Sequence, residues 1–184
     1  GRLAALVDQG DSYSVNWEMF VGNVKYCFAA SENYVVPGNT DGELMIITAS
    51  GNLLHTVDIG SRPRAKPVID GDTIYVSNAS GGIYSIDAQS GDVLWSQGTE
   101  TGGYGGLLFE DGLLFRGGQG GKMVCLNATT GDVVWSSSSF FGDIDSTPAL
   151  GDSVLYVASN ATLYALEWLG SDAELMDTLT LPSK

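Results

Sequence analysis

The chain has 184 residues, 43% hydrophobic and only 16% charged, with 25 glycines against 5 prolines. That excludes a disordered tail and supplies one domain with a sizeable core. A net charge of −14, from 22 acidic and 8 basic residues, opposes nucleic-acid phosphates and anionic lipid, so no nucleic-acid partner is expected.

In chain order, residues 1–20 read as two strands joined by a turn. Residues 21–60, 61–100, 101–140 and 141–184 then read as four units of one pattern. Each unit holds four short apolar runs separated by Gly, Asp and Asn turns, as in a β-meander. In the second unit the runs are Pro67–Asp70, Thr73–Ser77, Ile83–Asp87 and Val93–Ser96. The units stay in phase at a step of forty. Ile46, Ile86, Leu126 and Leu166 share one core position, and Gly51, Gly91, Gly131 and Ser171 share one turn position.

The runs are nearly continuously apolar, as Leu163-Tyr164-Ala165-Leu166 shows. A strand apolar on both sides is covered on both sides. The expected fold is therefore all-β, a β-propeller of four-stranded antiparallel blades packed face to face. It has about four full blades plus an N-terminal half-blade, as part of a larger seven- or eight-bladed ring. Open blade faces at the two ends would be apolar and prone to self-association. No apolar run reaches the ~18 residues of a membrane-spanning helix, and no signal peptide is visible.

The third-to-fourth strand turn carries a family resemblance. Ile86-Asp87-Ala88-Gln89-Ser90-Gly91-Asp92-Val93-Leu94-Trp95 resembles the tryptophan-docking motif of pyrroloquinoline-quinone-type, or quinoprotein-like, propeller repeats. Leu126 to Trp135 is a second copy, and Ser146-Thr147-Pro148-Ala149 resembles the innermost-strand opening of that family. The resemblance implies that Trp95 and Trp135 pack between neighbouring blades against turn glycines such as Gly91 and Gly131. Trp17 is expected in the same slot, after a turn two residues longer. His55 fills the slot in an earlier repeat and Leu175 in the last.

Chemistry-bearing sets are sparse. The family's dehydrogenases hold a quinone and calcium beside a catalytic Asp, often under a disulfide between adjacent cysteines. This chain has two distant cysteines, Cys27 and Cys125, expected as buried free thiols. His55 is the single histidine, so a Ser/His pair or a zinc set has few members to draw on. Asp143 and Asp145 are weak calcium-ligand candidates, with a plain solvated loop as the alternative. The sequons at Asn78, Asn127 and Asn160 are as readily chance or structural. Neither a catalytic residue nor a cofactor is expected.

Partner binding is expected on the second-to-third strand loops, 37–42, 77–82, 117–121 (with Gln119) and 158–161, and on the interblade loops 60–66, 98–106 and 140–146. Arg62, Arg64 and Lys66 are three of the eight basic residues and suit a carboxylate or sulfated group, unless nearby acidic loops pair with them. Tyr104 with Phe140 and Phe141 is either an aromatic partner site or interblade packing. Gly102-Gly103-Tyr104-Gly105-Gly106 reads as a flexible turn rather than a phosphate cradle.

The expected function is non-catalytic: a scaffold binding protein or glycan at the cell surface, outside the cell or in the periplasm. A fold-level likeness to the propeller lipoproteins of outer-membrane assembly implies the same. The alternatives are a fragment of a quinoprotein dehydrogenase and a ligand-sensing ectodomain.

Overall fold

The computed structural model describes residues 1–99, 102–137 and 142–180, all β apart from a single 3-10 turn at Gln119–Gly121. The first sheet is a hairpin of β1 (Arg2–Asp8) and β2 (Tyr13–Phe20). The second holds β3 (Val24–Ala30), β4 (Tyr34–Asn39), β5 (Glu43–Thr48) and β6 (Leu53–Asp58). The third holds β7 (Val68–Asp70), β8 (Thr73–Ser77), β9 (Gly82–Asp87) and β10 (Val93–Gly98). The fourth holds β11 (Leu107–Glu110), β12 (Leu113–Gly117), β13 (Met123–Asn127) and β14 (Val133–Ser136). The fifth holds β15 (Ala149–Gly151), β16 (Val154–Ser159), β17 (Thr162–Trp168) and β18 (Ala173–Thr180). Strands follow chain order within each sheet and pair antiparallel, the arrangement of β-propeller blades.

Local chemistry sets the turn between third and fourth strands. Asp87 Oδ1 accepts from the backbone N–H of Gln89 and Ser90, and Asn127 Oδ1 does the same for Thr129 and Thr130. These Asx turns reverse the chain within a few residues. The following pair carries a β-bulge in every sheet, so that Trp17 pairs with Ala5, His55 with Ile46, Trp95 with Ser85 and Trp135 with Cys125.

The fifth sheet corrects one expectation. Leu166 pairs with Leu175 and, past the bulge, Ala165 pairs with Asp177. The β17–β18 turn is two residues longer than its counterpart in the fourth sheet, where Leu126 pairs with Val133. Asp177, not Leu175, therefore occupies the position of Trp135.

Alternate residues of one strand enter different cores. Ile74 and Val76 of β8 pack with Tyr34, Val36, Leu44 and Ile46 of the second sheet. Tyr75, between them, faces the fourth sheet with Leu107, Leu114 and Leu126. Phe115 of β12 points onward to Leu155, Val157 and Leu166 of the fifth. Both faces of the third and fourth sheets are thus buried, which is why their strands read as continuous apolar runs.

Rings also lie against the turn glycines of the following sheet. The Trp17 indole lies on Gly51 and donates to Ala49 O at 3.0 Å. His55 lies on Gly91 with Nε2 2.7 Å from Gln89 O, and Trp95 lies on Gly131 and donates to Ala128 O at 2.9 Å. Where the next sheet has Ser171 instead of a glycine, Trp135 meets Trp168 edge-on, 5.9 Å between centroids.

Gly131 is needed twice over. Its φ is 78°, and a Cβ there would come within 2.7 Å of the Trp95 ring. Gly10 has φ 90° but nothing within 4 Å of the same position. Gly131→Ala is expected to cost about 3 kcal/mol and Gly10→Ala about 1 kcal/mol, the second from left-handed backbone alone. Urea unfolding of the two variants measures the difference.

Candidate functional site

The turns between second and third strands are built by side-chain amides. Asn39 Oδ1 accepts from the N–H of Asp41 and Glu43, and Asn78 Oδ1 from those of Ser80 and Gly82. The buried Asn78 also donates through Nδ2 to Ile59 O at 2.6 Å. That amide is a structural donor, which accounts for the sequon at Asn78, while Asn127 is spent on its own turn.

Main-chain hydrogen bonds join these turns to the segments connecting the sheets. Ile59 N–H donates to Gly42 O, and Ala79 N–H to Arg62 O. Forty residues on, Thr99 N–H donates to Gly81 O and Gln119 N–H to Gly102 O. Ile144 N–H donates to Gly118 O, and Asp143 accepts from Gly120 N–H at 2.8 Å. The first two connecting segments are thereby held by the turn before and the turn after, and the third by the turn before it, giving one rim.

Arg62, Arg64, Tyr104 and Gln119 meet along this rim. The Arg64 guanidinium carbon sits 3.9 Å from the Tyr104 ring centroid, a cation–π contact. Arg62 and Arg64 line a small pocket with Lys25, Asn39, Thr40 and Pro63. Lys66 faces a separate cavity of about 320 Å³ lined by Ala29, Val68, Ile69, Leu107 and Thr147, where the first strands of the sheets converge. Among the described residues the ion pair is Arg2–Glu18, on the hairpin, and no described carboxylate lies within ion-pair distance of Arg62, Arg64 or Lys66. Phe140 and Phe141 lie outside the described residues.

The glycine run is packed rather than loose. A Cβ on Gly105 would collide with Gly117 O and Ile144 O, and one on Gly106 with Thr147. Close approach of neighbouring backbone explains these glycines without a ligand. Asp143 is turned to the Gly120 amide, and Asp143 and Asp145 stand with Ser146 and Asn160 around an open hollow. The described residues include no group of three or more metal-ligating side chains.

Arg116 is the residue that sequence reading passed over. It occupies the β12 position that is Val36 in β4 and Val76 in β8, and it is fully buried. Its guanidinium donates to Asn78 O at 3.2 Å, Thr99 Oγ1 at 3.4 Å and Gly105 O at 3.5 Å. Burial lowers its pKa to about 10, still far above neutral pH. A buried cation held by neutral oxygens thus ties the third sheet's turn to the segment carrying Tyr104. Cys27 and Cys125 are buried free thiols, and burial raises both pKa values to about 12.

Comparison with known proteins places the chain. Residues 79–174 match the family model described as outer membrane protein assembly factor BamB, and the chain belongs to that family of pyrroloquinoline-quinone-type repeat propellers. BamB of Shewanella oneidensis is 26% identical over 155 residues, 75% of this chain and 39% of that protein. The chain therefore spans well under half the length of that relative. The crystal structure of BamB from Moraxella catarrhalis superposes with a TM-score of 0.74 at 22% identity, over 100% of this chain and 67% of that one. A europium-containing methanol dehydrogenase gives 0.79 at 14% identity, over 97% of this chain and 47% of that one. At these identities the structural likeness is one of fold.

Arg116→Met leaves three acceptors without their donor. It is expected to cost about 2 kcal/mol or more in urea unfolding and to speed amide exchange across 102–106. The thiols give a second expectation. At pH 8 neither reacts with a disulfide reagent in the folded chain, and both react on unfolding. Their raised pKa values also mean that the folded state keeps protons the unfolded chain loses. Their stabilising contribution is full below pH 9 and is lost as pH rises towards 12. A urea midpoint that does not fall over that window would contradict this.

Proposed function

We propose that this member of the BamB family is a binding platform that holds a protein partner against its loop rim and carries out no chemistry of its own. The observation that carries this reading is the rim itself. Main-chain hydrogen bonds fix Arg62 and Gln119 on one edge of stacked sheets, and the Arg64 guanidinium lies on the Tyr104 ring along the same edge. Rigid placement lowers the entropy lost on binding, and exposed Tyr and Arg are the side chains that dominate protein interfaces. The relatives' name supports a role beside outer-membrane protein assembly, in the periplasm or at the cell surface.

The sheets read as a half-blade, residues 1–20, and blades 21–60, 61–100, 101–140 and 141–184 of a larger ring. Exposed Leu6, Val15 and Phe20 on the hairpin, and Leu175, Met176 and Leu179 on β18, then suit cover by further blades or a second copy. A single small species in light scattering at high concentration would exclude the second copy.

A photo-crosslinking amino acid at Tyr104, and another at the exposed Leu94 on β10, tests the platform in cells that make the protein. Protein adducts are expected from position 104 well above those from 94. Equal adducts from both positions, or quinone- and calcium-dependent dye reduction by the purified chain, would overturn the reading.

A further inference from the structure

We propose that the pocket between Lys25, Arg62 and Arg64 receives a carboxylate from an acidic segment of the protein partner. This rests on the platform reading above and gives its partner a chemistry.

Three of eight basic residues converge on one pocket in a chain of net charge −14. With 22 acidic residues available, cations on such a surface would readily find partners. None of these three forms an ion pair with a described residue. Glu43, on the same turn, instead accepts from Asn39 Nδ2 at 2.8 Å. The cations are gathered against their mutual repulsion and left open to an anion from outside.

Arg64 is already oriented. The Tyr104 ring lies against its guanidinium at 3.9 Å, and its Nε is buried with no acceptor. A planar fork held in this way suits a carboxylate better than a mobile ammonium does. Arg116 fixes Gly105, the neighbour of Tyr104, so the orientation traces back to the core.

The pocket is small and partly open, with Thr40 and Asn39 on its wall beside the three cations. A carboxylate borne on a flexible Asp or Glu side chain can enter from the mouth while the rest of the partner stays outside, and an acidic segment offers several such groups. The surrounding acidic surface repels anions at long range. At ~0.15 M salt that repulsion is screened beyond about 8 Å, while contacts inside the pocket persist.

Fluorescence anisotropy at 0.15 M salt tests this with a labelled twelve-residue Asp/Glu-rich peptide and its Asn/Gln counterpart. The acidic peptide is expected to bind at least about tenfold more tightly. Arg62→Glu with Arg64→Glu is expected to abolish that margin, Arg62→Lys with Arg64→Lys to retain part of it, and Arg2→Glu on the hairpin to leave it unchanged. Equal binding of the two peptides, or full binding by the double Glu variant with unchanged circular dichroism, would overturn the proposal. So would tighter binding of a sulfated oligosaccharide through the same residues. Protein adducts from position 104 that survive the double Glu variant would keep the platform and reject the pocket.

Discussion

A ring laid on a glycine is the constraint from which the rest of the architecture follows. Trp17, His55 and Trp95 each leave the last strand of one sheet and settle on a turn of the next, where a Cβ would collide with the ring. Each contact is completed by a hydrogen bond from the ring to a turn carbonyl or, for His55, between its Nε2 and one. The contact sets how closely sheets approach at their outer edges. Between those edges, strands apolar on both faces fill the gap, one set of residues turned backward and the next forward.

That spacing brings the loop rim together at the other side of the stack. The first two connecting segments touch the turn behind and the turn ahead because the sheets are held at one separation. Arg116 shows the cost of this tightness. Burying a guanidinium is unfavourable, and among the described residues it has no carboxylate partner, yet its donors reach the third sheet's turn and the segment that joins it to the fourth. The result is an edge on which Tyr104 and Arg64 keep one arrangement.

Much of this was legible in the residues. The forty-residue phase of Ile46, Ile86, Leu126 and Leu166 marked the sheets, and continuous apolar runs marked stacking on both faces. The step itself misled at the end of the chain, where a turn two residues longer moves the slot from Leu175 to Asp177. The first hairpin has the same lengthening, pairing Leu6 with Val15, so the signal was present in another unit. The site was less readable. Arg62 and Arg64 stood out as basic residues of an acidic chain, but Lys25 joins them only through the fold. Arg116 stood in a valine position inside an apolar strand, where departure from the repeat was the available clue. The glycines at 105 and 106 suggested freedom, because neighbouring backbone that fills their space comes from residues far along the chain.

The central claim is that the ring-on-glycine contacts couple one sheet to the next. Amide hydrogen exchange of Trp95→Ala against the parent chain tests it most directly. Coupling predicts lost protection in the strands of both the third and fourth sheets, on either side of the removed ring. Loss confined to β10, with β12 and β13 protected as before, would contradict it.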